Sequence, residues 1–159
     1  MSQLIIACDH GAWVLKNELV QHLRVRHALE VCDLGVNGPD SVDYPDYAAE
    51  LCHRILRGEA QRGLLLCGTG LGMSMAANRF QGIRAALCHD EFTARMSRRH
   101  NDANVLVIGG RVTGPGLAQA MIDVWLTEPF EGGRHQRRIE GLDALITPKP
   151  TKPCSANPF

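Results

Sequence analysis

Short, unbroken apolar runs alternate along the chain with longer segments in which apolar residues return every three or four positions. Residues 3–8 read QLIIAC, a compact β-branched run of the kind that forms a strand buried on both faces. Residues 12–26 carry Leu15, Leu19 and Leu23 at four-residue spacing, one stripe of a helix. LEVCDLG (29–35) predicts a second strand, closed by a loop rich in Gly, Asn, Pro and Asp. Pro45 suits the first turn of a helix, and Asp43 just upstream suits its cap, so the next helix runs to Arg57. RGLLLCG (62–68) and IRAALCH (83–89) predict strands three and four, with a glycine turn and a short helix between them. Residues 91–99 read as helix and NVLVIGG (104–110) as the fifth strand. Residues 115–126 read as a helix through Leu117, Met121 and Val124, and 132–145 as a last, polar one.

Strand and helix thus alternate five times. That order predicts an α/β fold: a three-layer α/β/α sandwich around a five-stranded parallel Rossmann-like sheet. No repeat or linker divides residues 1–146, which are expected to form a single domain. The segment 147–159, TPKPTKPCSANPF, has four prolines in thirteen residues. Proline cannot continue a helix, so this tail is expected to be extended or disordered.

Composition narrows the partners. Seventeen acids balance seventeen bases, which leaves no basic field to hold nucleic acid. Lysine occurs only at Lys16, Lys149 and Lys152; the other bases are arginines, the better fork for phosphate oxygens. The cysteines (Cys8, Cys32, Cys52, Cys67, Cys88, Cys154) are spread out with no Cys-x-x-Cys pair. That argues against zinc or a redox couple and for free thiols. The N-terminus lacks the layout of a signal peptide, and no apolar stretch is long enough to span a bilayer. The expectation is a reduced, cytoplasmic protein without a membrane partner.

In open parallel sheets, ligands bind beyond the carboxyl ends of the strands. The first strand ends in Cys8-Asp9-His10-Gly11, the third in Cys67-Gly68-Thr69-Gly70-Leu71-Gly72, and the fifth in Gly109-Gly110-Arg111. The helix after strand four leads into His100-Asn101-Asp102. All of these are expected to converge on one edge. Alternate glycines expose backbone N–H groups that suit negative charge, and a thiol at their entrance can act as base or nucleophile. The bland alternative is a buried structural cysteine before a tight turn. Asp9 has its own bland role as a helix cap, and His100 as a surface histidine at a helix end. Arg134 and Arg138 stand four apart on one helix face, either as a solvated charged face or, with Arg111, as a cradle for a phosphate dianion.

Two other α/β readings fit less well. A dinucleotide fingerprint wants glycine where Met73 stands, and it belongs after the first strand rather than the third. A Gly-Lys-Ser/Thr phosphate loop is absent. A signalling receiver module would want lysine after the fifth strand, where the chain has Arg111.

Five stretches carry a resemblance that covers nearly the whole chain apart from the proline-rich tail. They are CDHGAWVLK (8–16), DYPDYA (43–48), LLLCGTGLGMSMAANRFQGIRAALCHD (64–90), SRRHNDANVLVIGGRV (97–112) and EGGRHQRRIE (131–140). In these the chain resembles the B-type ribose-5-phosphate isomerases of the RpiB/LacAB sugar-phosphate isomerase family. The resemblance implies an aldose–ketose isomerase with neither metal nor organic cofactor, acting through a cis-enediolate. It implies Cys67 as proton acceptor, His100 as the acid/base that opens the sugar ring, Asp9 assisting at the ring oxygen and Thr69 beside them. The backbone of Gly68, Gly70, Leu71 and Gly72, with Asn101, would hold the enediolate oxygens. His10, Arg111, Arg134 and Arg138 would hold the phosphate, and Tyr44 falls in a matched stretch among the substrate-binding set. Relatives that lack the cysteine use a glutamate on the glycine loop; this chain has no carboxylate between Arg62 and Ala77. The resemblance further implies a homodimer, possibly pairing into a tetramer, with the site at the subunit interface. Substrates across the family include ribose 5-phosphate, the first expectation here, and allose 6-phosphate, galactose 6-phosphate and four-carbon sugar phosphates.

Overall fold

The computed structural model describes residues 3–146; the expected proline-rich tail lies outside the described residues. Five strands, β1 (Gln3–Cys8), β2 (Glu30–Asp33), β3 (Arg62–Cys67), β4 (Ala85–Leu87) and β5 (Val105–Gly109), pair in parallel in the order β2-β1-β3-β5-β4. Six helices connect and follow them: α1 (Trp13–Arg26), α2 (Tyr44–Leu56), α3 (Leu71–Ala77), α4 (Glu91–Asn101), α5 (Pro115–Thr127) and α6 (Arg134–Asp143). A 3-10 turn, Ala144–Ile146, ends the described chain. None of the described helices is long and apolar enough to cross a membrane.

The period of two along a strand sorts the core into two halves. Leu4, Ile6 and Cys8 of β1, with Leu64, Leu66, Leu106 and Ile108, pack under α1, α4 and α5. Ile5 and Ala7, with Leu65, Cys67, Val105 and Val107, pack under α2 and α3. These are the three layers expected. Strands buried on both faces read as continuous apolar runs, which is why their positions were visible in the sequence. β4 is shorter than its apolar run because it is an edge strand, half-buried along its length.

The helix stripes agree in part. Leu15, Leu19 and Leu23 of α1 are buried as expected. In α5 the buried side chains are Ala118, Met121, Ile122 and Trp125, whereas Leu117 is exposed and Val124 half-buried. The large indole decides the rotation of the helix. Trp125 is fully buried between the guanidinium groups of Arg62 and Arg98, 5.4 and 5.9 Å from its ring centroid. Asp43 does stand at the cap position of α2, but its side chain makes no capping hydrogen bond.

Candidate active site

The chain switches direction at β1. Its connection through α1 leads outward to β2, whereas β3 lies on the other side and feeds α3 on the opposite face. The carboxyl ends of β1 and β3 therefore open a crevice between them. A pocket of about 230 Å³ occupies it, lined by Asp9, His10, Gly11, Tyr44, Cys67, Gly68, Thr69, Gly72 and Arg111. Larger clefts of about 780 and 490 Å³ lie at the amino ends of the strands. Neither of these has a thiol on its walls, and the small pocket is the one lined by the residues singled out in the sequence.

Three glycine-bearing turns meet at the pocket floor. Asp9 donates its N–H to the Leu66 carbonyl, and its Oδ1 accepts the Gly11 N–H at 2.8 Å. Asp9 thus braces its own turn and does not cap α1, whose cap position is Ala12. A Cβ on Gly11 would come within 3.1 Å of the Gly68 nitrogen, and one on Gly109 within 2.7 Å of the Thr69 carbonyl. Gly110 and Arg111 donate their N–H groups to the carbonyls of Cys67 and Gly68 at 2.8 and 2.9 Å. Only hydrogen at these α-carbons lets the three backbones pack so closely.

Cys67 ends β3 with 5% of its surface exposed, and its Sγ accepts the Gly70 N–H at 3.1 Å. Gly70 holds φ at +80° to make that turn, a left-handed conformation natural to glycine. The Thr69 hydroxyl accepts the Leu71 N–H at 3.3 Å. The Tyr44 ring lies against Gly72, where a Cβ would come within 2.7 Å of Cζ. His10 Nδ1 accepts the Val42 N–H at 3.3 Å, so a neutral ring carries its proton on Nε2. Arg111 extends over Gly68 and has no acidic partner among the described residues. Three other thiols are inert: burial pushes Cys8 and Cys52 up to about 12 and Cys88 to about 11.

Beneath the pocket sits a buried cation that sequence reasoning did not single out. Lys16 is fully buried in α1, and its Nζ donates to Asp33 Oδ2 and Asn37 Oδ1, each at 2.6 Å. Asp33 Oδ1 accepts the Gly35 N–H, and the Gly35 carbonyl accepts the Cys8 N–H. The network fixes the loop after β2 against the end of β1. A lysine among apolar helix positions was the available signal.

His100 and Asn101 are not at this edge, contrary to expectation. A helix that follows a parallel strand returns to the amino edge, and the end of α4 does so: the Asn101 and Asp102 carbonyls accept from Arg84 Nε, just before β4 begins. Gly63 pairs with Val105 and Cys67 with Gly109, so roughly 13 Å of strand separates the two edges at about 3.3 Å per residue. His100 instead stacks on His135 of α6, with ring centroids 4.2 Å apart and planes within 5°. Glu131 lies 3.7 Å from His100 and 3.6 Å from His135. The hydrogen bond from Arg99 holds the Glu131 carboxyl below its usual range. Burial, with His100 and Arg134 close by, holds the His135 imidazole below the usual histidine value. Arg134 and Arg138 stand exposed on α6, outside the pocket and without an acidic partner among the described residues. One chain therefore unites Asp9, His10, Tyr44, Cys67, the glycine loop and Arg111, and holds His100, Asn101, Arg134 and Arg138 in a second group.

An open α/β protein with a thiol on the wall of its switch-point crevice is what this sheet defines. Residues 4–142 match the ribose/galactose isomerase family, and the chain belongs to it. It is similar to ribose-5-phosphate isomerase B of Escherichia coli, 46% identical over 145 residues that cover 91% of this chain and 97% of that one. The D-erythrulose-4-phosphate isomerase of Pectobacterium atrosepticum is 43% identical, over 89% of this chain and 93% of its own. Among solved structures, a ribose 5-phosphate isomerase from Thermotoga maritima superposes with a TM-score of 0.87 at 51% identity. That match covers 89% of this chain and 97% of the other.

Proposed function

We propose that the protein interconverts ribose 5-phosphate and ribulose 5-phosphate, with Cys67 as the base that carries the proton between the two carbons. The observation that carries this reading is the Cys67 sulfur, held by the Gly70 N–H on the wall of a pocket of about 230 Å³. The E. coli relative's name supplies the substrate.

The sugar binds as a closed ring. His100 moves the proton that opens it, with Asp9 at the ring oxygen. Cys67 thiolate then takes the proton from the carbon beside the carbonyl, leaving a cis-enediolate. N–H groups of the Gly68–Gly72 loop, with Asn101, face the developing charge, a contribution worth about 3–4 kcal/mol per donor in other enzymes. The sulfur returns its proton to the neighbouring carbon. His10 and Arg111 receive the phosphate, together with Arg134 and Arg138.

Since one chain holds the thiol and the ring-opening imidazole at opposite sheet edges, the working unit in this reading is a homodimer. His100, Asn101, Arg134 and Arg138 of each protomer complete the pocket of the other. The unpaired arginines of α6 support that assignment, being free to meet an anion. The free thiols among the described residues fit a reducing cytoplasm.

The test is isomerisation of ribose 5-phosphate by wild type and Cys67→Ala, with allose 6-phosphate, galactose 6-phosphate and erythrose 4-phosphate alongside. Ribose 5-phosphate turnover that nearly vanishes in the variant, with substrate binding retained, is the expected result. Turnover in Cys67→Ala would remove the thiol from the role of base. A preference for the four-carbon sugar is the second reading, favoured by the Pectobacterium relative; it would keep the mechanism and change the substrate.

A further inference from the structure

Away from the pocket, two imidazoles and a carboxylate converge where α1 ends against α5. His22 lies in the last turns of α1, His27 is the residue that closes it, and Asp123 faces both from α5. Each Nε2 stands 2.6 Å from the same atom, Asp123 Oδ1. The two rings meet edge-on, 5.6 Å apart between centroids and 69° between planes. All three ligand atoms lie within 4.8 Å of one another. The side chains are 14%, 18% and 33% exposed, sheltered yet reachable. His27 also lines the cleft of about 780 Å³ at the amino edge of the sheet, which gives an ion a path in. No lysine or arginine pairs with Asp123 among the described residues. Nothing in the isomerase chemistry uses these groups.

We propose that His22, His27 and Asp123 form a binding site for a divalent transition-metal ion of the zinc type. Imidazole nitrogen and carboxylate oxygen are the donors such ions take, whereas magnesium and calcium want oxygen almost alone. Two imidazole nitrogens already converge on one carboxylate oxygen. Ligand bonds of about 2.0–2.1 Å in a tetrahedral site set donor atoms about 3.3 Å apart. The two nitrogen–oxygen contacts of 2.6 Å must therefore open by about 0.7 Å, which small rotations of half-buried side chains supply. Three protein donors leave a further position for water or a small anion. The bound ion ties the end of α1 to α5, adding to the apolar core the two helices share and to these hydrogen bonds.

The group His100, Glu131 and His135 has a similar composition, and the six thiols are further competitors, so the test must separate them. Chelator-stripped protein is titrated with Co2+, whose visible spectrum distinguishes imidazole–carboxylate from thiolate ligands, and with Zn2+ by calorimetry. Wild type, His27→Gln, Asp123→Asn, His135→Gln and Cys67→Ala are compared, with circular dichroism to verify folding and His22→Gln in reserve. One equivalent bound without thiolate bands is expected in wild type, His135→Gln and Cys67→Ala. Affinity should fall more than about 100-fold in His27→Gln and Asp123→Asn, beyond the loss of about 10–100-fold usual for an outer-shell change. Absence of stoichiometric binding to wild type would overturn the site, as would binding undiminished in both variants. In either case the three groups form a hydrogen-bonded cluster only.

Discussion

At the scale of single residues, the pocket depends on hydrogen atoms where other positions have side chains. Gly109 is the sharpest case, because the atoms a Cβ would meet belong to the Thr69 backbone, 2.7 Å away, and cannot rotate aside. Gly109→Ala is expected to push the glycine loop off the end of β5 and lower kcat by an order of magnitude or more. Overpacking of this kind costs about 1–3 kcal/mol of stability, so a denaturant midpoint measured beside the activity checks both effects. An alanine variant with wild-type turnover would show that the loop tolerates the shift. The sequence displayed Gly109 as the end of the fifth strand, expected at the ligand-binding edge, but not what its backbone touches there. Its close approach to a residue forty positions away has no local signature. Asp9 shows the same limit: its identity fits a helix cap or a turn brace equally, and only the position of the Gly11 N–H decides between them. Cys67 was legible because a thiol, a strand end and a glycine turn coincide within a few residues.

Among the elements, the strands were the most legible and helix phase the least. A strand buried on both faces declares itself by composition, whereas the rotation of α5 is set by where the Trp125 indole finds room. The direction of α4 carried more consequence. Its residues read clearly as helix, but an edge assigned from proximity to strand four ignored that the helix runs back along the sheet. The packing of α4 against α6 makes a further prediction through His135. Burial, then the neighbouring His100 and Arg134, hold its imidazole below the usual value, with Arg138 adding and Glu131 opposing. Below about pH 6.5 the unfolded chain takes up a proton that folded His135 resists, so stability falls as pH falls. Melting temperatures of wild type and His135→Gln, at about pH 7.5 and about pH 5.5, should show the smaller loss in the variant. An equal or larger loss would assign the acid sensitivity to other groups.

For the whole molecule, the separation of Cys67 from His100 bears on how activity depends on assembly. If each pocket draws its imidazole from a second protomer, Cys67→Ala and His100→Ala should each be nearly inactive alone. Refolded together in equal amounts they should recover roughly a quarter of wild-type activity, since half the dimers are mixed and each mixed dimer holds one intact pocket. No recovery on mixing would return both groups to one chain. A second whole-molecule consequence lies in the placement of the two tryptophans. Trp125 sits dry between two guanidinium groups near the amino edge of the sheet, while half-buried Trp13 opens α1 two residues beyond Gly11 of the pocket. The protein thus contains its own pair of optical probes. Emission from Trp125 reports the collapse of the core, and emission from Trp13, packed at the margin of the same core cluster, reports the docking of the start of α1. Replacing one indole at a time by phenylalanine would let the unfolding of the two regions be followed separately by fluorescence with no dye attached.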